Sequence, residues 1–312
     1  MVSLKDIESA HERIQPFIHR TPVLTNTSLN DETGANLFFK CENFQKAGSF
    51  KIRGATNAVE LLSNNDFNKG VATTSSGNHG AALSMAVSRR GGTTKVVMPH
   101  NTPLIKVNNV KRNGGEVVWC DPDQKYRESV LKEVVDKTGS TVIHPYNDER
   151  IMAGQGTCAK ELLEDVPKLD AIVSPVSGGG LLSGSLIAAK TMSPSIKVYG
   201  AEPKEADDAY RSLKKGSIVA NKTIDTICDG LRAQIGTKTF PVIQELVDEI
   251  ITIDEQEVVE SLRMVWERLK IIVEPSCSIT LALVLKRKAL FEGQNVGLIL
   301  SGGNVDLNEL PW

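Results

Sequence analysis

The sequence predicts a parallel α/β fold, because strand-like and helix-like stretches alternate along most of the chain. Two further observations favour this class. Apolar runs at 171–175 and 296–300 lead directly into glycine-rich turns, and a helical pattern follows the first of these turns. The chain has 312 residues, of which 40% are hydrophobic and 24% are charged, as is typical of a globular protein with a sizeable core.

The elements can be predicted in order from these patterns. After a strand-like run at 36–40, strands are predicted at 71–73, 95–98, 116–119, 142–143, 171–175, 197–202, 249–253 and 296–300. Helices are predicted at 81–90, 126–138 and 181–190. The best-signalled helix is 255–270, which begins with the capping-box pair Asp254 and Glu257. Its apolar face, which we expect in the core, consists of Val258, Leu262, Val265, Trp266 and Leu269.

Composition excludes several classes of protein. A net charge of −2 argues against a nucleic-acid or membrane-surface partner. No apolar run approaches the roughly 20 residues that a membrane span requires. The five cysteines are widely spaced without a CxxC pair, so neither a zinc site nor a disulfide framework is indicated. Because the cysteines indicate no disulfide framework, we expect a reducing compartment, the cytosol. The N-terminus carries acidic residues and no signal-peptide core, so it does not resemble a targeting peptide.

Lys51 is the first candidate functional residue. It lies in an apolar segment flanked by Gly48 and Gly54, just after the strand-like run at 36–40. Burial would disfavour the ammonium form and make the neutral amine available as a nucleophile or base. The alternative is a solvated lysine beside Arg53.

Three polar, glycine-containing turns follow predicted strands, at 75–80, 177–180 and 301–304. A strand–turn–helix arrangement directs backbone N–H groups toward an anion, and glycines allow a phosphate to approach the backbone closely. The alternative is an ordinary, flexible strand-to-helix connection. The turn at 177–180 lacks the Gly-Lys-Ser/Thr of a Walker A loop, and Ser183 stands where a dinucleotide fingerprint requires glycine or alanine.

As a set, these segments resemble the pyridoxal-phosphate enzymes of the tryptophan-synthase-β fold (fold type II), in the branch of serine racemases and short serine/threonine dehydratases. The resemblance runs from 19–24 to 301–306 and includes 40–45, 153–157 and 274–276. It implies two open, twisted α/β domains. A small domain at 70–146 would be inserted in a large domain formed by 1–69 and 147–312, with the cofactor in the cleft between them.

The resemblance also assigns roles around pyridoxal phosphate. Lys51 would form the internal aldimine, with Phe50 packed near the ring. The phosphate would be held by backbone N–H groups of Ser177, Gly178, Gly179, Gly180 and Leu181. Asn78 would contact the ring's 3-hydroxyl, and Ser301 would face the pyridine nitrogen. A serine there makes the ring a weaker electron sink than an aspartate would, which favours rapid reprotonation or loss of a leaving group.

Ser76 bears on which reaction follows removal of the Cα proton by Lys51. By resemblance it is the opposite-face acid/base of serine racemases, whereas the usual threonine dehydratases have alanine there. Alternatively, Ser76 only bonds the substrate carboxylate, since some hydroxyaspartate dehydratases share this serine. Ser75, Asn78 and His79 are implied to bind the α-carboxylate. Arg127 either meets the second carboxylate of a diacid or is a solvated helix residue.

A metal site, an activator and an oligomeric state are implied by the same resemblance. Glu202 and Asp208 would supply carboxylates, and Ala206 a main-chain carbonyl, to Mg²⁺ or to Ca²⁺ or Mn²⁺. ATP activation is left open, because Lys270 and Asn304 match positions used for it, whereas Ala47 and Ala81 stand where polar contacts are expected. A homodimer is expected by analogy.

The resemblance therefore implies a serine racemase that also dehydrates serine to pyruvate and ammonia. The same-class alternative is a threonine or L-threo-3-hydroxyaspartate dehydratase without significant racemisation, and Ala233, where mammalian racemases have serine, keeps the substrate open. A more distant alternative is a non-catalytic protein that binds a phosphorylated metabolite, which would not need Lys51. A β-replacement enzyme of the cysteine-synthase type is disfavoured by the loops at 75–79 and 200–208.

Overall fold

Two sheets organise the chain, which is described here for residues 1–75 and 77–312 by a computed structural model. The strands are β1 (Val23–Leu24), β2 (Asn36–Cys41), β3 (Val71–Thr74), β4 (Thr94–Pro99), β5 (Gly115–Cys120), β6 (Thr141–Val142), β7 (Ala171–Pro175), β8 (Lys197–Pro203), β9 (Glu249–Ile253) and β10 (Asn295–Leu300). One sheet has the order β1-β2-β10-β7-β8-β9 and the other β5-β4-β3-β6. Among the described strands only β1 pairs antiparallel, so the predicted parallel α/β class is confirmed.

The two sheets draw on different parts of the chain. The four-stranded sheet takes its strands from 71–142, whereas the six-stranded sheet takes its strands from before and after that segment. In the larger sheet β10 lies between β2 and β7, and Leu298 pairs with Phe39 on one side and Val173 on the other. The carboxyl ends of β7 and β10 therefore lie at the same edge, which is where ligands bind in open α/β sheets.

Helices connect the strands and cover the sheets. They are α1 (Leu4–Ile14), α2 (Thr27–Thr33), α3 (Lys51–Glu60), α4 (Asn64–Asn68), α5 (Asn78–Arg89), α6 (Leu104–Arg112), α7 (Gln124–Thr138), α8 (Glu149–Asp165), α9 (Gly180–Met192), α10 (Asp208–Lys215), α11 (Phe240–Leu246), α12 (Glu255–Met264), α13 (Pro275–Lys286) and α14 (Lys288–Phe291). In the described chain no helix combines the length and hydropathy needed to cross a membrane.

The predicted strands are observed within one or two residues, and 171–175 and 249–253 match in full. Helix α5 begins at Asn78, three residues earlier than expected. The early start follows from the Ser75 hydroxyl, which accepts hydrogen bonds from the backbone N–H groups of Gly77 (3.2 Å) and Gly80 (2.9 Å). This cap satisfies donors that a helix start leaves without an intrahelical acceptor.

The helix predicted at 255–270 is confirmed at its start and differs at its end. Asp254 and Glu257 form the capping box, but α12 gives way to a single π-helical turn at Val265–Leu269. The first three residues of the expected apolar face are buried, whereas Trp266 and Leu269 are partly buried and pack against the core from its edge. The Trp266 indole N–H donates to the Val273 carbonyl in the following loop at 3.0 Å.

Glycines bring α3 and α8 into backbone contact. A Cβ atom added to Gly154 would lie 2.5 Å from the Cα of Gly54, so neither helix tolerates a side chain at this crossing. The N–H of Gly54 donates to the Gln155 side-chain oxygen at 3.1 Å. The crossing fixes the distance between the two helices. Because α3 begins at Lys51, it also fixes how far the start of α3 lies from α8.

Candidate active site

Lys51 opens α3 at the edge where β10 ends. Its Nζ donates to the Pro145 carbonyl at 3.2 Å and lies 5.0 Å from the centre of the Phe50 ring. Burial lowers the pKa of the Lys51 ammonium to about 8 from its ordinary 10.5, and the Glu274 carboxylate opposes this shift. A larger fraction of Lys51 is therefore neutral near neutral pH than for a solvated lysine, which is what a nucleophilic or basic amine requires.

Ser301 is held beside Lys51 by the backbone. The N–H of Phe50, the residue before Lys51, donates to the Ser301 carbonyl at 3.0 Å. Ser49 forms a bridge with Gly302, and the Ser301 side chain is 3% exposed. The structure thus places the turn at 301–304 against the lysine segment.

The turn at 177–180 is hydrogen-bonded to the segment at 233–239. The Ser177 hydroxyl donates to the Ala233 carbonyl at 3.2 Å and accepts from the Ala233 N–H at 3.0 Å. The Gly178 carbonyl accepts from the Gly236 N–H at 3.2 Å and from the Thr239 hydroxyl at 2.7 Å. These hydrogen bonds hold the backbone of the turn against the segment at 233–239 at the start of α9.

Two glycines of this turn cannot be replaced without rearrangement. Gly179 has φ +88°, and an added Cβ would lie 2.7 Å from the Ile235 Cδ1. At Gly178 an added Cβ would lie 2.4 Å from the ring of Tyr146, which therefore packs face-on against the turn. Leu181 follows in the first turn of α9 and is 4% exposed.

The third turn leads into α5. Asn78 donates from Nδ2 to the Glu274 Oε1 at 2.8 Å and accepts from Asn304 Nδ2 at 2.9 Å, so it ties α5 to the other sheet. Ser76 lies outside the described residues. The Ser75 hydroxyl caps α5, and its N–H donates to the Val97 carbonyl at 3.1 Å. Carboxylate binding at Ser75 and Asn78 stays a prediction.

His79 is buried and neutral. Burial lowers its pKa to about 3, and the nearby Lys51 acts in the same direction. Its Nε2 lies 3.3 Å from the Ile143 carbonyl, so this nitrogen carries the proton, and Nδ1 has no hydrogen-bond partner in the part of the chain that the structure describes. The imidazole therefore presents an unprotonated Nδ1, which cannot donate a hydrogen bond to a carboxylate. The predicted carboxylate contact at His79 would have to come from backbone N–H groups at the start of α5.

Arg127 lies in the first turn of α7, where its Nε donates to the Pro122 carbonyl at 3.1 Å. The described contacts do not join it to Lys51, Asn78 or the turn at 177–180. Its role toward a second carboxylate stays a prediction.

Glu202, near the end of β8, and Asp208, the first residue of α10, are both buried. The two Glu202 oxygens accept from the N–H groups of Ala209 and Tyr210, each at 2.8 Å, and Asp208 accepts from the Ile235 N–H at 2.7 Å. Burial raises the pKa of Glu202 well above its ordinary value, to which Asp208 contributes, and burial raises the pKa of Asp208 to about 6.

A divalent cation fits these two carboxylates, since it would offset their desolvation and mutual repulsion. The described residues assemble no group of three His, Cys, Asp or Glu side chains suited to a metal. The carbonyl of Ala206, which is 2% exposed, and water would have to complete the set.

Three residues that the sequence analysis left without a role belong to the site. Glu274 is buried, and among the described residues its Oε2 has no hydrogen-bond partner. Burial raises the pKa of Glu274 against the effect of Lys106. Lys106 on α6 forms an ion pair with Asp229 across the cleft. Tyr146 covers the turn at 177–180. The segment at 274–276 was singled out, but nothing in the sequence indicates that Lys106 or Tyr146 faces the same cleft.

Pyridoxal phosphate fits this arrangement. The enclosed Lys51 amine suits covalent attachment, and the turn before α9 offers backbone N–H groups that lack intrahelical acceptors to a phosphate. The buried Ser301 lies beside Lys51, and the unpartnered Glu274 Oε2 marks a polar site within the cleft.

Comparison with known proteins agrees with the geometry. Residues 14–302 match the family model described as pyridoxal-phosphate dependent enzyme. The chain is 51% identical to a serine racemase of Arabidopsis thaliana over 97% of this chain and 93% of that protein. It is 48% identical to a beta-hydroxyaspartate dehydratase of Paracoccus denitrificans over 99% of this chain and 98% of that protein. The structure of maize serine racemase, 47% identical, superposes with a TM-score of 0.97 over 98% of this chain and 95% of that one.

Proposed function

The chain belongs to the family of pyridoxal-phosphate dependent enzymes, and within that family we propose that it interconverts L- and D-serine and also eliminates water from serine. The observation that carries the proposal is the full-length similarity to serine racemases, with an amine of lowered pKa at Lys51. The products of the elimination would be pyruvate and ammonia.

The bound cofactor supplies an electron sink that makes the α-proton of an amino acid removable. Lys51 would hold the cofactor and move that proton at Nζ on one face. The start of α5 and the turn before α9 would orient the substrate carboxylate and the cofactor phosphate. Ser301 would face the pyridine nitrogen, Asn78 would meet the ring hydroxyl through its side-chain amide, and Ser76 would serve as the acid/base on the opposite face.

The second candidate is a dehydratase for L-threo-3-hydroxyaspartate. The similarity to the Paracoccus dehydratase favours it, because that match covers nearly all of both chains at almost the same identity. Arg127 would bind the additional carboxylate of this substrate. L-Threonine is a third candidate substrate, for a dehydratase of the same class.

A substrate panel separates these candidates. The protein, loaded with pyridoxal phosphate and Mg²⁺, is incubated with L-serine, D-serine, L-threonine or hydroxyaspartate. Chiral chromatography and a keto-acid assay then follow the products. D-serine formed from L-serine supports the racemase, whereas keto acid from hydroxyaspartate without any change in serine chirality would replace the proposal by the dehydratase.

We extend the proposal to a Mg²⁺ ion at Glu202, Ala206 and Asp208, and to a homodimer. The two sheets support a small domain at 70–146 and a large domain formed by both flanks. Five buried, unpaired cysteines are compatible with the cytosol. ATP is left as an open possibility for activation, since Ala47 and Ala81 provide no polar side chain to bind it.

A further inference from the structure

A cluster of four buried, charged side chains includes Arg53 in the first turn of α3 and lies outside the candidate active site. Lys40, Glu42, Arg53 and Glu161 are each at most 1% exposed. Two positive and two negative charges are thus removed from water together. Such a group is stable only when every charge is paired and hydrogen-bonded.

Arg53 uses all five of its N–H donors within the cluster. Its Nε and Nη2 each lie 2.7 Å from a Glu42 oxygen, and Nη2 and Nη1 each lie 2.8 Å from a Glu161 oxygen. The fifth donor reaches the Thr157 hydroxyl at 3.1 Å. Burial lowers the pKa of the Arg53 guanidinium, but the two carboxylates more than offset this and hold the pKa well above its ordinary value. The planar guanidinium presents donors toward both carboxylates at once, a geometry that the single ammonium group of lysine does not reproduce.

The cluster joins three elements. Glu42 lies in the short 3-10 turn after β2, Glu161 lies on α8, and Arg53 is the third residue of α3. The Thr21 hydroxyl donates to Glu42 at 2.6 Å, and Lys40 lies 2.8 Å from Glu161. Arg53 is therefore clamped from both sides by groups on elements that do not belong to α3.

The start of α3 has no capping side chain, since the residue before Lys51 makes no side-chain cap hydrogen bond. A helix start without a capping side chain leaves its first N–H groups to be satisfied by other partners. The backbone holds this helix start through the Phe50 N–H, which donates to the Ser301 carbonyl, and Arg53 adds a side-chain anchor two residues after Lys51.

We propose that Arg53 is a positioning residue for Lys51: clamped between Glu42 and Glu161, it fixes the first turn of α3 and thereby the position of the Lys51 amine in the cleft. The inference rests on the proposed function, in which Lys51 holds the cofactor. In the described chain the Arg53 side chain hydrogen-bonds Glu42, Thr157 and Glu161, none of which is assigned to the site. Arg53→Lys keeps the positive charge and removes the fork, so it tests position rather than charge.

The matched control is Lys40→Gln. It removes a buried charge from the same cluster and from the same partner, Glu161, but Lys40 lies on β2 and not on α3. Both variants should lower thermal stability. A purely structural cluster predicts no other difference between them.

The experiment measures the reactivity of Lys51 in the cofactor-free proteins. Competitive labelling with an amine reagent across pH, read by peptide mass spectrometry, gives the pKa of Lys51. Cofactor titration on the same samples gives the dissociation constant of pyridoxal phosphate. We expect Arg53→Lys to move the Lys51 pKa upward toward its ordinary value and to weaken cofactor binding at least about tenfold. Lys40→Gln should leave both quantities at the wild-type values.

If both variants lose stability alike and neither changes the Lys51 pKa or the cofactor affinity, the proposal is overturned. Should Arg53→Lys fail to fold, Glu42→Gln provides the same readout, because it removes one side of the clamp while keeping the volume of the side chain. The labelling needs neither cofactor nor substrate. A wild type that failed to racemise or dehydrate would therefore contradict the proposed function without affecting this result.

Discussion

Lys51 combines an enclosed amine with a position at the junction of β10 and α3. Burial produces its low pKa, and the Pro145 carbonyl accepts its hydrogen bond. The sequence identified this residue from its apolar, glycine-flanked surroundings. It could not identify Pro145 or Glu274 as its neighbours, because these come from segments about 90 and 220 residues away in the chain.

Replacing Lys51 by alanine should remove both covalent attachment of the cofactor and catalysis. A positioned base contributes about 10²–10⁴-fold to rate, and we expect a loss of at least about 10³-fold. Borohydride reduction followed by peptide mass spectrometry should find the cofactor on Lys51 in the wild type. Lys69→Ala, an exposed lysine paired with Asp66, is the control. Substantial activity in Lys51→Ala would contradict the assignment.

The pH dependence of Lys51 follows from the direction of its shift. Its pKa is lowered to about 8, so the neutral amine accumulates as the pH rises through 8 instead of 10.5. In the cofactor-free protein, labelling of Lys51 should therefore reach half its maximum near pH 8. Lys132 serves as an internal reference, since its hydrogen bond with Asp136 raises its pKa above the ordinary value. Equal titration of the two lysines would disagree with the structure.

At the scale of the element, the strand-to-helix turn is the recurring unit of this site. The glycine turn at 177–180 was recognisable in sequence because three successive glycines are costly without a reason. The hydrogen bonds of this turn with Ala233, Gly236 and Thr239 were not recognisable, since these partners lie more than 50 residues away in the chain. The π-helical turn at Val265–Leu269 was also missed, because the apolar spacing continues through it.

Gly179→Ala tests the turn directly. The added Cβ would meet both a positive φ of +88° and the Ile235 side chain, so we expect lower stability and at least about tenfold weaker cofactor binding, or about 1.4 kcal/mol. Gly91→Ala is the matched control. It has a similar φ of +84° with no atom near the new Cβ, so it should cost stability without changing cofactor affinity. A Gly179 variant with wild-type affinity would argue against a phosphate at this turn.

The carboxylates at the start of α10 predict a stabilising divalent cation. A ligand at 100 times its dissociation constant stabilises the folded state by about 2.7 kcal/mol, so saturating Mg²⁺ should raise the melting temperature by several degrees. Asp208→Asn should abolish this increase. The neighbouring Asp207, which pairs with Arg211 at 2.6 Å, gives the control Asp207→Asn, in which the increase should persist. No response of the wild type to Mg²⁺, Ca²⁺ or Mn²⁺ would remove the metal from the proposal.

At the scale of the whole molecule, the cleft depends on contacts between distant parts of the chain. Asn78 reaches Glu274, and Lys106 reaches Asp229, so α5 and α6 are each tied to residues near the larger sheet. The alternation of strands and helices predicted the fold class, because it is a local pattern. Local patterns carry no information on which side chains meet across a cleft, so these pairs required the structure.

The central claim is that the chain racemises serine with two bases on opposite faces, and the most direct test compares wild type with Ser76→Ala on L-serine. With pyridoxal phosphate and Mg²⁺ present, chiral chromatography follows D-serine, and a coupled assay follows pyruvate. We predict that the wild type forms both products and that Ser76→Ala loses D-serine formation while it still forms pyruvate. Pyruvate alone from the wild type, with little change in Ser76→Ala, would contradict the claim and identify a dehydratase.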